Sequence, residues 1–181
     1  MTNNSKEKVA IYIDGSNFYF SIKNTFKCKI DIEKFCNKLA EDAEIIKINY
    51  YIAPLDQESH PEGYKEQQKF FDKLKQISKL HIIFGRLEKR KSGDIVYYVE
   101  KASDVNLALD LALDAQNNLY DKAFLISNDG DFSGAVTSAI KFNKKVIYIA
   151  IGNRKAISFH LKKVSTSFLR INELFIKDIK L

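Results

Sequence analysis

Short apolar runs of strand length alternate with helical patterns along this chain, and two of the runs end abruptly in acidic residues. The run at residues 9–13 is followed by DGSN at 14–17, and the run at 123–126 leads into SNDGD at 127–131. Ligands of an open α/β sheet bind outside the carboxyl ends of its strands. The acids of both segments are therefore expected where a ligand would bind.

The rest of the chain continues this alternation. Strand-like runs occupy residues 45–53, 80–87, 145–151 and 168–171, and helical patterns begin near residues 16, 31, 64, 103, 132 and 158. Ser16 is the expected N-cap of the first helix. Strands that alternate with helices through mostly short connections indicate a parallel sheet covered on both faces. We therefore predict an α/β fold.

Length and composition indicate one globular domain. A chain of 181 residues with 45% hydrophobic and 29% charged residues has enough apolar surface for one core and is short for two. We expect a disordered tail at residues 1–7, a single domain over 8–176 and a C-terminal tail at 177–181. No apolar run is long enough for a signal peptide or a membrane span, and the two cysteines form no C-x-x-C pair. These features predict a reduced, cytoplasmic protein.

Basic residues cluster after the strand-like run at 80–87. They are Arg86, Lys89, Arg90 and Lys91. The segment SGD at 92–94 predicts a turn, and residues 95–99, with Tyr97 and Tyr98, predict the returning strand of a β-hairpin. Such an arm could track a phosphate backbone and stack on bases. An edge strand whose charges block unwanted pairing explains the same pattern equally well.

Acids and bases are distributed unevenly along the second half of the chain. Residues 102–131 carry six acids and one base, whereas residues 132–172 carry no acid and eight bases. The bases include Arg154 and Lys155, just past a predicted strand tip, and Lys162 and Lys163. This distribution indicates a cation site beside a polyanion site. Solvated lysines explain each base alone, but they explain less well the lack of acids over 41 residues.

The predicted sheet places several carboxylates near one another. If the strand tips that carry Asp14, Asp129 and Asp131 are neighbours and the helix start with Asp104 faces them, four carboxylates lie within a few ångströms. At an effective dielectric near 20, each pair at about 4 Å repels by roughly 4 kcal/mol. Oxygen ligands of this kind suit Mg²⁺ or Mn²⁺ rather than zinc.

Other polar residues are candidates for assisting such a site. The amide of Asn17 could hold a ligand or a metal-bound water, and Lys101 lies three residues before Asp104, close enough to meet it on one helical face and to pair with a phosphate. Asp110 is displaced by about 240° from Asp104 on a helical wheel, so it ranks second, with a solvated helix acid as its alternative.

Three short motifs in this order resemble the NYN domain, a family of the PIN-like nucleases. They are D-G-x-N at residues 14–17, K-x-x-D at 101–104 and S-x-D-G-D-F at 127–132, and the resemblance extends from residue 9 to about 173. It implies a Rossmann-like, three-layer domain with a mostly parallel central sheet, to which the predicted hairpin is an addition. It also implies a ribonuclease dependent on Mg²⁺ or Mn²⁺ that cuts single-stranded RNA. The same resemblance makes a homodimer an option.

The resemblance also assigns roles to individual residues. The catalytic and metal-binding residues would be Asp14, Asp104, Asp129 and Asp131, with Asn17 assisting. Ser127, Lys101 and Asp110 are our further candidates for assisting residues. Asn128 stands where many relatives have glycine. Family membership does not by itself establish catalysis, because some members have no proven activity. A non-catalytic RNA-binding or scaffolding module on the same fold therefore remains the alternative.

Three other classes fit the sequence less well. An aspartyl-nucleophile phosphatase needs a second Asp two residues after the first, where this chain has Ser16. The first turn has no G-x-G-x-x-G, which argues against a dinucleotide-binding domain. The oxygens of residues 128–133 do not fall at the positions of an EF-hand loop.

Overall fold

A computed structural model describes residues 6–93 and 95–181 of the protein. Residues 1–5 of the predicted tail and residue 94 of the predicted turn lie outside the described residues. The strands are β1 (Lys8–Asp14), β2 (Glu44–Ile52), β3 (Leu80–Phe84), β4 (Arg86–Ser92), β5 (Ile95–Lys101), β6 (Lys122–Ile126), β7 (Lys145–Ile151) and β8 (Ser167–Ile171). The helices are α1 (Gly15–Phe26), α2 (Ile32–Ala40), α3 (Pro61–Leu74), α4 (Ser103–Gln116), α5 (Ser133–Lys141), α6 (Phe159–Val164) and α7 (Glu173–Ile176), with 3₁₀ turns at Gly130–Phe132 and Lys177–Ile179.

Six strands form a parallel sheet in the order β3-β2-β1-β6-β7-β8. The chain moves outward from β1 in one direction and from β6 in the other, so the strand order reverses between these two central strands. This reversal is the point where ligands bind in open α/β sheets. Ile13 of β1 pairs with Ile126 of β6, so the acidic segments that follow them begin side by side.

The sheet is covered on both faces, as the strand patterns predict. Alternate residues of β1 point to opposite sides, because successive side chains of a strand do so. Val9, Ile11 and Ile13 pack in one core with α1, α2, α3 and α7, and Ala10 and Tyr12 pack in a second core with α4, α5 and α6. The three-layer α/β prediction is confirmed.

A buried ion pair ties α4 to the sheet. The Asp114 carboxylate is 8% exposed and accepts hydrogen bonds from the Tyr12 hydroxyl at 2.7 Å and the Lys47 ammonium at 2.5 Å. Burial, and then the adjacent Asp114 carboxylate, raise the pKa of Tyr12 above its ordinary value, so the hydroxyl remains a donor. This network fixes the helix whose first turn carries Asp104.

The predicted hairpin is present as a separate two-stranded antiparallel sheet of β4 and β5. Its first strand was predicted as a continuation of β3, whereas the structure ends β3 at Phe84 and starts β4 at Arg86. Gly85 makes this break possible: a Cβ there would lie 2.6 Å from the Lys101 carbonyl oxygen. The base of the hairpin therefore packs directly against the start of α4.

Two helix boundaries differ from the sequence prediction. The N-cap of α1 is Asp14, whose side chain accepts the Asn17 N–H; the predicted cap, Ser16, lies inside the helix. A carboxylate is as good a cap as a hydroxyl, and here it also follows the strand directly. Helix α3 begins at Pro61, a favoured first position, and ends at Leu74, before the predicted end at 79.

Both predicted tails contain residues that contact the domain. The Glu7 carboxylate pairs with Lys122 and Lys145. At the other end, Ile179 is buried, and Lys180 forms a bridge with Ile30. These terminal side chains therefore have partners on the folded domain. Over the residues that the structure describes, no helix is long and apolar enough to cross a bilayer.

The Asp114 network predicts a large stability effect from one substitution. Asp114→Ala should lower the free energy of unfolding by about 2–4 kcal/mol, because it leaves the Tyr12 hydroxyl and the Lys47 ammonium without their partner. Urea unfolding followed by circular dichroism measures this change. Asp72→Ala is the matched control, since the exposed Asp72–Lys75 pair on α3 should contribute little. Equal losses in the two variants would contradict this account.

Candidate functional site

Asp14 links the end of β1 to the start of α1. Its Oδ1 accepts the Asn17 N–H at 3.0 Å, and its Oδ2 accepts the Ser127 hydroxyl at 2.8 Å. Gly15 follows it because the backbone passes close to β2: a Cβ there would lie 2.4 Å from Tyr50 Cε1. The D-G step therefore allows the acid to sit at the strand tip against the neighbouring strand.

Ser127 connects Asp14 to the second acidic segment. It is 2% exposed, donates its hydroxyl to Asp14 and accepts the Asp129 N–H at 3.0 Å. Asp129 then caps the 3₁₀ turn, with its Oδ1 accepting the Asp131 N–H at 3.0 Å. A continuous chain of hydrogen bonds thus runs from the tip of β1 across the tip of β6.

Asn17 has only its amide nitrogen available for a ligand. Its Oδ1 accepts the Asn128 N–H at 3.0 Å and the Ser21 hydroxyl at 3.3 Å, which fixes the orientation of the amide. The NH₂ group is then directed elsewhere, and a nitrogen donor suits a phosphate oxygen or a water better than a cation. The NH₂ group thus stays compatible with both expected partners, a ligand and a metal-bound water.

Asn128 joins the acidic turn, residues 127–131, to β7. The sequence did not suggest this role. Its Nδ2 donates to the Ile151 carbonyl at 2.7 Å, and its Oδ1 accepts the Tyr148 hydroxyl at 2.8 Å. The same Tyr148 oxygen accepts the Ser158 N–H at 3.1 Å. The side chain of Asn128 therefore fixes the turn relative to β7 and to the start of α6.

Asp104 lies in the first turn of α4 and is exposed. The residue at its N-cap, Ala102, has φ of 74°, a left-handed conformation that is unusual for alanine. Desolvation, followed by the charges of Asp129, Glu100 and Asp131, raises the pKa of Asp104. Asp104 is therefore close enough to Asp129, Glu100 and Asp131 for their charges to act on its carboxyl group.

The carboxylates do not form a ready metal-ligand cluster. Among the residues that the structure describes, no three His, Cys, Asp or Glu side chains lie close enough together to hold an ion. This corrects the expectation of four carboxylates within a few ångströms. Asp14 and Asp129 each use one carboxylate oxygen to accept the backbone N–H group that they cap.

The environment of Asp14 raises its pKa to about 6. Burial of the carboxyl is the largest cause. The hydrogen bonds from the Asn17 N–H and the Ser127 hydroxyl oppose it, and the charges of Asp104 and Glu100 add to it. Asp14 is thus a carboxylate that the fold holds at an electrostatic cost.

Glu100 is an acid that the sequence analysis missed. It lies at the end of β5, and its two oxygens accept the Ser16 hydroxyl at 2.7 Å and the Ala53 N–H at 2.9 Å. It thereby connects the hairpin to the start of α1 and the end of β2. Its position directly before the K-x-x-D motif was the available signal, but its partners are distant in the sequence.

Two predicted assisting residues are placed differently from the acids. The Asp110 carboxylate accepts the Tyr51 hydroxyl at 2.7 Å and the Asn49 amide at 3.2 Å, so its contacts are with β2. Lys101 is half-buried at the end of β5, where its backbone lies opposite Arg86 in the antiparallel register of the hairpin.

The predicted basic residues lie in two separate groups. The hairpin group comprises Arg86, Lys89, Arg90 and Lys91, and the second group comprises the exposed side chains Arg154, Lys155, Lys162 and Lys163 after β7 and on α6. Tyr98 of the hairpin is bound to the loop before α3 through Asp56 and Ser59, so it is not free to stack on a base. Tyr97 remains 43% exposed.

The start of α6 lies against the acidic turn. A Cβ built on Gly130, between Asp129 and Asp131, would lie 3.1 Å from Ser158 Oγ and 3.8 Å from His160 Cβ and Cδ2. Neither Phe159 nor His160 entered the sequence analysis, because nothing in the linear pattern connects residues 158–160 to residues 129–131. The contact arises from the order of β6 and β7 in the sheet.

Comparison with known proteins agrees with this architecture. A family model described as the NYN domain matches residues 8–172, nearly the whole chain. The crystal structure of a protein of unknown function from Vibrio parahaemolyticus is similar, with a TM-score of 0.76, 24% sequence identity and 100% of each chain covered. This similarity supports the fold alone. None of the curated proteins matches the chain.

The pKa of Asp14 predicts a pH dependence of stability. Its carboxyl titrates near about 3.9 in the unfolded chain and at about 6 in the folded protein. The folded state therefore binds more protons between these values, so the contribution of Asp14 to stability is fully present below about pH 4 and is lost as the pH rises through about 6. The free energy of unfolding of the metal-free protein should fall over this range by up to about 3 kcal/mol relative to Asp14→Asn. A difference between the two proteins that does not vary with pH, measured by urea unfolding, would refute this prediction.

Proposed function

Because the chain belongs to the NYN domain family, we propose that it is a metal-dependent ribonuclease that hydrolyses phosphodiester bonds in single-stranded RNA. The proposed reaction takes place at the acidic site, defined as Asp14, Asp104, Asp129 and Asp131. The observation that carries the proposal is the hydrogen-bonded connection of Asp14 through Ser127 to Asp129 at the point where the strand order reverses. It supports an acidic site built for a ligand, since the buried Ser127 hydroxyl joins acids from the ends of two central strands.

The chemistry of the site fits Mg²⁺ or Mn²⁺. Its donors are carboxylate oxygens, and among the described residues no lysine or arginine forms an ion pair with any of the four acids. Mg²⁺ usually keeps several waters and uses one or two carboxylates together with substrate phosphates. Acids that lie in one region without forming a tight cluster are compatible with this coordination preference of Mg²⁺. When bound, the ion would neutralise phosphate charge and activate a water.

The protein's own groups would position the RNA. Asp104 and Asp131 are exposed and have side chains open to a ligand, whereas Asp14 is held by two hydrogen bonds. The NH₂ group of Asn17 would donate to a phosphate oxygen next to Asp14. Lys101 would pair with a phosphate near the start of α4. Ser127 would act by holding Asp14 and the Asp129 backbone in place.

Two basic surfaces flank the acidic site in this proposal. Arg86 of the hairpin group is the cross-strand neighbour of Lys101, just before α4. The second group flanks Ser158 and His160 in the sequence, and these two residues lie beside Gly130. Lysine and arginine contacts to phosphates would supply affinity that depends on salt but not on sequence. The homodimer and the cytoplasmic location stay predictions.

The second candidate is an RNA-binding or scaffolding module that cleaves nothing. One observation favours it: the described residues contain no close group of three acids. In that case the acids would be retained for their structural hydrogen bonds, and the basic groups would carry the function.

A cleavage assay tests the proposal. The purified protein should cut a labelled single-stranded RNA with Mn²⁺ or Mg²⁺ and should not cut it with EDTA. Asp129→Asn should reduce cleavage at least about 100-fold, because it removes one of the charges that would bind the cation, while the asparagine oxygen still caps the turn. Asp178→Asn, in an exposed ion pair with Lys38, is the matched control and should cleave normally.

Thermal stability tests metal binding by the same variants, independently of cleavage. Mn²⁺ should raise the Tm of the wild type more than that of Asp129→Asn, since a ligand that binds the folded state stabilises it. RNA binding with a steep salt dependence, no cleavage and no change of Tm with metal would favour the binding module instead.

A further inference from the structure

We propose that Phe159 and His160 form a stacking site for one unpaired base of the RNA, next to the acidic turn. This inference rests on the proposed function and names the feature of the substrate that the protein would recognise there. The ligand is a single-stranded polynucleotide, because only an unpaired base can leave its neighbours and present a free face to an aromatic ring.

The exposure of Phe159 is the first observation. Its side chain is 72% exposed, more than any other described phenylalanine or tyrosine. A phenylalanine that is this open to water contributes little to the core, and exposed apolar surface often marks a binding site. The His160 ring lies 6.0 Å from the Phe159 ring at an angle of 78°. A base stacked on one ring would therefore meet the edge of the other.

The position of the two rings is the second observation. His160 Cβ and Cδ2 lie 3.8 Å from the place that a Cβ on Gly130 would occupy. Gly130 stands between Asp129 and Asp131, so the His160 ring borders the acidic site, and the Phe159 ring lies beside His160. A base held there would place its attached sugar and phosphate beside the carboxylates.

The rigidity of the segment is the third observation. Ser158 caps α6 by accepting the Leu161 N–H at 3.3 Å, and Leu161 is fully buried. The Ser158 N–H donates to the Tyr148 hydroxyl, which donates in turn to Asn128 of the acidic turn. The aromatic pair is therefore fixed relative to the acids, and a base would bind without ordering a mobile loop first.

The surrounding charge favours a polynucleotide over a small apolar ligand. No acid occurs between residues 132 and 172, and Lys163, Arg154 and Lys155 are exposed in the same stretch. Exposed aromatic side chains together with lysine and arginine side chains are the combination that binds single-stranded nucleic acids.

RNA affinity without cleavage tests the stacking site. Binding of a fluorescent single-stranded oligoribonucleotide is measured by anisotropy in EDTA, so that the reaction cannot proceed. Phe159→Ala should raise the Kd about 5- to 150-fold, the usual loss for one stacked base, and Phe159→Trp should keep the wild-type Kd within about threefold. Phe142→Ala is the matched control. Phe142 is also exposed, but it follows α5 just before β7 begins, at the amino ends of the parallel strands, so its removal should leave the Kd unchanged.

Two further measurements separate stacking from other causes. The salt dependence of binding should keep its slope in Phe159→Ala, because the substitution removes no charge, whereas Lys163→Ala should lower the slope. The Kd for a fully paired RNA duplex should change less than threefold in Phe159→Ala, since its bases are not free to stack.

Several results would overturn the stacking site. These are an unchanged Kd in Phe159→Ala, an equal loss for single-stranded and duplex RNA, and no RNA binding by the wild type. The outcome is distinguishable from that of the proposed function. Cleavage by the wild type with an unchanged Kd in Phe159→Ala removes only the stacking site, whereas a selective loss of single-strand binding without any cleavage removes only the ribonuclease activity.

Discussion

The architecture of the acidic site depends on the Ser127 hydroxyl, which links its two strand ends. It donates to Asp14 at the tip of β1 and accepts the N–H of Asp129 beyond the tip of β6. Because these are the two central strands, where the strand order reverses, one buried oxygen couples the two halves of the sheet at their ligand-binding edge. The acids on either side are thereby held in fixed positions before any ligand arrives, and such preorganisation is what makes electrostatic stabilisation effective.

That arrangement leaves negative charge that the protein itself does not neutralise. The pKa of Asp14 rises to about 6 through burial, and the pKa of Asp104 rises through desolvation and the neighbouring acids. A structural N-cap would not need a second, third and fourth acid nearby. The cost is explained if a cation and a phosphate are the missing partners, and the acid-free basic stretch beside the site is consistent with a phosphate. Asn128 and Glu100 hold the surrounding loops through hydrogen bonds that do not involve Asp104 or Asp131.

The sequence was sufficient to predict what depends on local pattern. The alternation of strands and helices, the hairpin, and the placement of Asp14 and Asp129 at strand ends all follow from periodicity and from where apolar runs stop. The features that it could not provide depend on which strand edges meet. Glu100 contacts Ser16, 84 residues away, and His160 contacts Gly130 only because β7 lies beside β6. The orientation of Asn17 was equally inaccessible, because its oxygen is occupied by the distant Asn128. The four-acid cluster expected from the sequence is not found among the described residues. The linear pattern also did not show that Asp14 caps α1 or that Asp129 caps the 3₁₀ turn.

The most direct test of the central claim is to locate a cation. A crystal of the protein soaked in Mn²⁺ and measured for anomalous scattering identifies bound manganese independently of any activity. We expect a peak coordinated by carboxylate oxygens of the acidic site, with Asp14 or Asp129 among the ligands, and loss of that peak in Asp129→Asn. Manganese bound only elsewhere, or no peak at the acidic site at a concentration at which the protein cleaves RNA, would contradict the account.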